Sequence, residues 1–399
     1  MLKGKTVLVC VSGGIASYKM ANCVSMLVKL HADVHVIMTK NATNFINPIT
    51  FETLTSHKCI VDTFDRNFEF NVSHVSLGKK ADVCLVSPAT ANVIGKIANG
   101  IADDMLTTTV MACRCKVIIA PAMNTAMYHN PIVQDNIEKL KRFGYEVIAP
   151  DSGYLACGDT GEGKMPSEEV LVDYILHEAA YKKDMKGLKV IVSAGPTMEA
   201  IDPVRYISNH SSGKMGYELA KAASRRGAEV TLVSGKTNIR PPEFVDVVNV
   251  VSAQDMFNVF KEKYMDYDII IKAAAVADYK PAHTASEKIK KKDGDMTIEL
   301  CRNEDIIKYM GHNKRKGQFI CGFSMETQNM IENSRAKIDK KNIDMIVANN
   351  LKQSGAGFGT DTNIVTIITK DETIQLEKMS KEEVSVKILD FILKKREGI

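Results

Sequence analysis

The sequence has no paired CxxC spacing, no apolar run of membrane length, no large excess of one charge and no long low-complexity tract, and each absence closes a class of function. Its nine cysteines, at 10, 23, 59, 84, 113, 115, 157, 301 and 321, are odd in number and scattered. That argues against a disulfide framework or a structural zinc site. No stretch approaches the ~18 apolar residues of a membrane span, and the apolar run in the opening MLKGKTVLVCVSGG is too short for a signal peptide. A cytoplasmic protein with no membrane partner is the expectation. With 52 basic and 48 acidic residues the formal charge is +4, and the lysines are spread through both halves. Such a balance does not point to nucleic acid. What is present is an ordinary globular composition in a 399-residue chain, more than one hydrophobic core usually supports, so two domains are expected.

The pattern of apolar runs places them. Lys5 to Val11 is a continuous apolar run of strand length, punctuated by Ser12-Gly13-Gly14 before a helix-period stretch from Ile15 to Leu30. Further strands are read at 33–38, 82–87, 116–120 and 146–149, with helical segments between them. The pattern restarts at Lys186, leading into VIVSAGPT, a polar loop, and a helix from Lys214 to about Arg226. Strands at 229–233, 268–272, 318–322, 345–348 and 364–369 complete it. Strands alternating with helices predict an α/β chain of two doubly wound, Rossmann-like domains, the first with a mainly parallel sheet. The charged segment 180–186 is the predicted linker, giving domains over 1–180 and 187–399.

In the first domain, glycines after strand one let backbone amides approach an anion at a helix start. Ser12, Gly13, Gly14 and Ser17 suit that role, although there is no GxGxxG, and many α/β proteins turn on Gly-Gly without a ligand. Later strands end in Ser87-Pro88-Ala89-Thr90-Ala91-Asn92 and in Pro121 to Met127, where ligands of open sheets bind. Taken singly, Thr90 or Asn92 reads equally well as a helix cap.

The ordered set GGIASYK, SPATAN, ADDML, PAMNTAMY and GYLACGDTGEGKM resembles the flavin-containing cysteine decarboxylases. It departs from that family's pattern in Tyr128, an aromatic ring where the family has tryptophan. The resemblance implies FMN held by Ser12, Gly13, Gly14, Ser17, Thr39, Ser87, Ala89, Thr90 and Asn92, and decarboxylation of 4′-phosphopantothenoyl-L-cysteine. A cysteine carboxylate lacks an electron sink for direct loss of CO₂, and a flavin supplies the oxidation that creates one. His74 matches the family's active-site histidine, Asn124 the amide holding the substrate carboxylate, Cys157 the proton donor of the final reduction, and Met127 a substrate contact. His74 could equally be a structural histidine at a helix start, and the other eight cysteines read as structural.

In the second domain SAGPTMEAIDPVRYISNHSSGKMG precedes a helix, and Gly195, Ser211, Ser212, Gly213 and Lys214 offer donors and backbone freedom suited to a triphosphate. GxxxxGK[ST] is absent, which disfavours a kinase or GTPase. A strand ends at Lys272 to Pro281, and EKIKKK follows. A lysine run is ordinarily a solvated face, but its place after a strand end also allows a flap over phosphates.

NHSSGKMG, AAAVADY, EKIKK, GFSMET and KNIDMIVAN, in this order, resemble the phosphopantothenate–cysteine ligases. The resemblance implies attack of the 4′-phosphopantothenate carboxylate on CTP, giving an acyl-cytidylate and pyrophosphate, followed by attack of the cysteine amine. It assigns turnover of the acyl-cytidylate to Asn209 and charge neutralisation to Lys288 with Mg²⁺. Ser211, Ser212, Gly213, Lys214, Ala274, Asp278 and Phe323 become substrate contacts, and Arg205 meets the substrate phosphate or a neighbouring subunit. Asp278 and Arg205 could each instead be a structural ion pair. The choice of CTP over ATP is implied by the resemblance alone.

The product of the second half is the substrate of the first, so the two resemblances together imply one bifunctional enzyme of coenzyme A synthesis. They also imply homo-oligomers, with decarboxylase trimers, ligase dimers and a possible dodecamer. The rival is a flavin-binding regulatory relative without turnover, against which His74, Asn124 and Cys157 together count.

Overall fold

The structure is a computed structural model that describes residues 1–64, 73–291, 295–326, 330–350 and 360–396. Asn71 and Val72 before His74, Lys292 of the lysine run and Thr327 of GFSMET lie outside the described residues. The chain divides into two compact units, Met1–Lys182 and Lys183–Ile399. No helix among the described residues is long and apolar enough to cross a membrane.

The first unit runs β1 (Thr6–Val11), α1 (Met20–Lys29), β2 (Asp33–Met38), α2 (Pro48–Thr55), α3 (Ser73–Lys80) and β3 (Val83–Ala89). It continues through α4 (Ala91–Ala98), α5 (Met105–Ala112), β4 (Lys116–Pro121), α6 (Thr125–Tyr128), α7 (Pro131–Arg142) and β5 (Glu146–Val147). The hairpin of β6 (Asp151–Tyr154) and β7 (Thr160–Lys164) and then α8 (Glu168–Ala179) complete it. The sheet is parallel in the order β2-β1-β3-β4-β5. Every residue of β1 and β3 is buried, because helices cover both faces of such a sheet and leave no polar alternation. Val7, Val9 and Val11 face one core with α1 and α8, and Leu8 and Cys10 face the other with α4, α5 and α7. The helix expected from Ile15 opens as a tight 3-10 turn, Ile15–Lys19, before α1.

The second unit runs β8 (Lys189–Ala194), β9 (Met198–Ala200), β10 (Tyr206–Ser208), α9 (Lys214–Arg225), β11 (Glu229–Ser234), β12 (Asp246–Asn249) and α10 (Ala253–Lys263). Then come β13 (Ile269–Lys272), β14 (Tyr279–Pro281), β15 (Leu300–Arg302), α11 (Ile306–His312), β16 (Phe319–Glu326), α12 (Met330–Lys341) and β17 (Met345–Asn350). The last elements are β18 (Thr362–Asn363), β19 (Val365–Ile368), β20 (Thr373–Gln375), β21 (Met379–Ser380) and α13 (Lys381–Arg396). The main sheet is ordered β12-β11-β8-β13-β16-β17-β19-β20. It is parallel except for β19 and β20, which a tight turn closed by Thr369 N–H to the Glu372 carbonyl (2.9 Å) joins as a hairpin. β12 and the small hairpins β9–β10 and β14–β15 are too short and polar to stand out as apolar runs. The end of the charged 180–186 segment belongs structurally to this unit: Met185 is fully buried, and Asp184 pairs with the Arg226 guanidinium at 2.7 Å.

Candidate functional site

In each sheet, chain connections leave in opposite directions at one point: between β1 and β3 in the first, between β8 and β13 in the second. Ligands of open sheets bind at the carboxyl ends of strands at such a point.

In the first unit the β1 turn and the β3 end are tied together there. The Ser12 hydroxyl donates to the Pro88 carbonyl (2.6 Å) and accepts from Thr90 N–H (3.1 Å). Ser17 donates to the carbonyls of Ser12 (2.8 Å) and Gly14 (2.6 Å). Thr39, at the end of β2, accepts from Ala42 N–H (3.2 Å), and Ser87 donates to the Met165 sulfur (3.3 Å). These four hydroxyls are buried and bonded within the fold, so what the edge presents to a ligand is mainly backbone. A Cβ on Gly13 would sit 2.6 Å from the Asn41 Cβ, whereas one on Gly14 would meet nothing nearer than Thr90 Cγ2 at 3.8 Å. Gly14 caps the following helical turn with no side-chain bond, leaving amides free for an anion. Ala89 is buried at the end of β3, Thr90 caps α4, and Asn92 is exposed in its first turn. Backbone amides beside an open glycine fit the phosphate of a flavin nucleotide.

The chemistry-bearing residues sit further along the same edge. Asn124 caps α6, its Oδ1 accepting from Ala126 N–H (2.8 Å). The β6–β7 hairpin folds back over it, fixed by Met123 N–H to the Gly163 carbonyl (3.0 Å). A side chain on Gly163 would collide with that Met123 carbonyl, so the close approach requires glycine. The hairpin brings Cys157 and Asp159 to Asn124, whose Nδ2 lies 3.3 Å from the Cys157 sulfur and donates to Asp159 Oδ2 at 2.8 Å. The Cys157 thiol is in turn 3.4 Å from Asp159 Oδ2. Cys157 is exposed, as is Met127. His74 is half-buried in the first turn of α3; among the described residues no hydrogen bond joins it to Asn124, Cys157 or Asp159. Since α3 leads directly into β3, its first turn lies toward the carboxyl edge of the sheet. The eight remaining cysteines are buried or half-buried, and burial pushes the Cys23 and Cys59 thiols up to about 12, which suits structural roles.

In the second unit the two loops at the switch point are zipped together. Thr197 N–H donates to the Ala275 carbonyl (3.2 Å), Ala275 N–H to the Gly195 carbonyl (3.0 Å), and Ala277 N–H to Thr197 Oγ1 (3.1 Å). Asn209 Nδ2 donates to the same Ala275 carbonyl at 3.0 Å. Gly213 caps α9 at φ 80° without a side-chain bond. Gly216 in the next turn lies where a Cβ would be 2.6 Å from Ala194 Cβ, so helix and strand pack closely and the first amides of α9 face the cavity. That cavity, about 420 Å³, is lined by Asn209, Ser211, Ser212, Gly213 and Lys214, and across from them by Ala274, Asp278 and Phe323.

Two expected residues stand elsewhere. Arg205 lies outside the cavity lining, its guanidinium held by the buried Asp202 and donating to the Ile289 carbonyl (3.0 Å). The Arg205 hydrogen bond, reinforced by backbone N–H groups, holds the Asp202 carboxyl well below the usual carboxylate range, against the opposing effect of burial. Asp202 also accepts from Ile289 N–H (3.1 Å). This ion pair therefore pins the strand of chain carrying Lys288, which is itself exposed.

Other residues carry little or no signal in the sequence. Asp159 has no motif role of its own beside Cys157. Lys272, Asp305 and Lys341 line the cavity of the second unit, with Asp305 and Lys341 paired at 2.9 Å. Lys381, also in the lining, donates to the Thr360 carbonyl at 2.6 Å. The one signal available is Lys272 itself, a lysine ending the run of isoleucines 269–271; the rest come together only in three dimensions. Asp278, Glu304 and Asp305 supply carboxylates to the cavity, but among the described residues they form no three-ligand metal group.

Residues 1–180 match the family described as Flavoprotein, and residues 185–395 the DNA/pantothenate metabolism flavoprotein C-terminal domain. The coenzyme A biosynthesis bifunctional protein CoaBC of Bacillus subtilis (strain 168) is 48% identical over 396 residues, covering 98% of this chain and 97% of that protein. The chain belongs to the CoaBC family. The CoaBC protein of Borreliella burgdorferi is 45% identical over 394 residues, covering 98% of this chain and 100% of its own. A crystal structure of the C-terminal domain of a CoaBC protein is 45% identical, covering 54% of this chain and 100% of that one, with a TM-score of 0.47.

Proposed function

We propose that this CoaBC-family protein makes 4′-phosphopantetheine in two steps. Residues 187–399 join 4′-phosphopantothenate to L-cysteine at the expense of CTP, and residues 1–180 decarboxylate the product with FMN. Family membership supports an enzyme of coenzyme A biosynthesis with these two halves. The observation that carries the ligase reading is the convergence of Asn209, the Ser211–Lys214 turn, Ala274, Asp278 and Phe323 on one cavity from three separate stretches of chain.

In the ligase half, the orphan amides of α9 and the Lys214 ammonium receive phosphate oxygens. Asn209, already oriented by the Ala275 carbonyl, holds the acyl-cytidylate while the cysteine amine attacks. Lys288 reaches over the phosphates from a segment anchored by Asp202 and Arg205. Mg²⁺ would enter with the triphosphate, since among the described residues the cavity carboxylates form no three-ligand group.

In the decarboxylase half, bound FMN supplies the two-electron oxidation of the cysteine side chain and its later reversal. Gly13, Gly14 and the amides after them would hold its phosphate, with Ser12, Ser17, Thr39, Ser87, Ala89, Thr90 and Asn92 shaping the edge. Asn124 exchanges its bond to Asp159 for one to the substrate carboxylate, because its two N–H groups are already directed to Cys157 and Asp159. Cys157 delivers the proton that completes the reduction, and His74 handles a proton during oxidation. Exposed Ile15, Tyr18, Met127 and Tyr154 around this edge support a homo-oligomer in which further subunits cover it.

The purified protein, given 4′-phosphopantothenate, L-cysteine, CTP and Mg²⁺, is expected to be yellow and to release pyrophosphate and CO₂. A colourless protein releasing neither would overturn the proposal.

A further inference from the structure

Lys272 ends β13 at the point where β8 and β13 diverge, and alternation along the strand settles its direction. Ile269 and Ile271 pack in the core beneath α9 and α13, and Ile270 in the core with α10, α11 and α12. Lys272 therefore shares the side of Ile270 and lines the cavity between α11 and α12. Among the described residues it makes no hydrogen bond and no ion pair.

The charged groups around it come from every neighbouring element. Lys337 and Lys341 come from α12, Asp305 from the cap of α11 with Glu304 before it, and Asp278 from the loop after β13. Lys214 and Lys381 stand further round the same wall. Asp305 is already committed, bonded to Lys341 at 2.9 Å and accepting Lys308 N–H at 3.1 Å. Lys214 likewise meets Asp361 at 2.7 Å. Lys272 is thus a half-buried ammonium beside a carboxylate, Asp305, that is engaged elsewhere, and a buried charge without a counter-ion is unfavourable.

We propose that Lys272 is an anion-holding lysine of the ligase cavity whose counter-ion is the phosphate chain of the nucleotide. The proposal rests on the reading of this cavity as the nucleotide site. A polyphosphate, unlike a lone carboxylate, matches the excess of lysines over carboxylates in the lining. Burial, and then the Lys341 charge, pulls the free Lys272 down to about 8, against the raising influence of Asp305 and Asp278. A phosphate beside it reverses this. Well below that value Lys272 is already protonated, and it takes up no proton on binding. Around pH 8.5 much of it is neutral, so binding draws in a proton and affinity declines as the pH rises further.

The test is calorimetric titration of the full-length protein with CTP at about pH 8.5 in two buffers of different ionisation heat, repeated at about pH 6.5, alongside cytidine. Wild type is expected to take up part of a proton with CTP at the higher pH and, at the lower, to show only the titration of the CTP terminal phosphate itself, the same in wild type and variants. Lys272→Met is expected to bind CTP about 10- to 100-fold more weakly with no uptake, while Lys272→Arg keeps the affinity without the uptake. Should the methionine variant fail to fold, the arginine variant decides alone, since retained proton uptake there sinks the idea. Unchanged affinity and uptake in Lys272→Met overturn the Lys272 role while leaving the nucleotide cavity intact. Lys272-dependent uptake with cytidine would move the contact from phosphate to base and overturn the assignment. A wild-type protein that binds no CTP refutes the nucleotide reading itself.

Discussion

Both halves put a glycine turn and a helix start at the switch point of a doubly wound sheet, yet they present opposite surfaces there. In the first unit the turn is knotted inward by Ser12 and Ser17, and the reactive groups ride on a hairpin and an exposed cap; Met127 is 49% and Tyr154 72% exposed. In the second the helix start is left uncapped at Gly213, and α11, α12 and the start of α13 close around a 420 Å³ cavity. The contrast teaches that an anion-ready turn follows from topology, while enclosure depends on which later elements return to cover the edge. The ligase half builds its own partly enclosed polar cavity, where charges interact more strongly than in open water. The decarboxylase half presents its reactive groups on an exposed platform.

The largest expected effect tests the platform. Cys157→Ala should lower phosphopantetheine formation by about 10²- to 10⁴-fold, the usual reach of a positioned acid, while CO₂ release continues; measuring both products separately decides it, and parallel loss of the two would remove Cys157 from the reduction. For the chamber, Asn209→Asp exchanges a donor for a charge beside the Ala275 carbonyl and should slow consumption of the acyl-cytidylate by about 10²-fold, with the flavin spectrum unchanged. An equal effect on both halves would break the distinction drawn between them.

Gly216→Val drives a side chain into the Ala194 methyl and the Ser193 carbonyl oxygen, which would lie 2.6 and 2.8 Å from the Cβ alone. It should destabilise the second unit by about 1–3 kcal/mol, seen as a lowered denaturant midpoint with flavin binding retained. Asp202→Asn should loosen the Lys288 segment, raising amide exchange at Ala285 and Ile289, both now anchored. Because the folded Asp202 carboxyl lies below its unfolded value, its stabilisation is present above about pH 4 and is lost as the pH falls from there. Wild type at acid pH should therefore approach the variant's exchange rates. The smallest effect belongs to Glu138→Gln on the exposed face of α7, which removes a solvent-facing pair with Lys141 and should shift stability by no more than about 0.5 kcal/mol.

Much of the architecture is legible in local order. Continuous apolar runs such as 6–11 and 83–89 announce strands buried on both faces, and glycine turns before helix-period stretches announce the switch points. The grouping of Asn209, Ser211–Lys214, Ala274, Asp278 and Phe323 is readable as ordered motifs. Arg205 is not: its partner Asp202 is only three residues away, but the bond to Ile289 that makes it a clamp joins segments far apart in the chain. Asp159 is equally invisible as a third member of the Asn124–Cys157 group until the hairpin folds over α6.

By itself, then, the sequence determined the two α/β units, their anion-ready turns and the residues that mark the family, because hydrophobic period and backbone freedom act over a few neighbouring positions. The tertiary structure alone decided which charges meet. Among the described residues Lys272 has no ion pair, while Lys341 engages Asp305, and Arg205 became a clamp because Asp202 was buried beside Ile289. Electrostatic partnership is set by distances across the fold and by the water excluded between elements, and neither is written in local order.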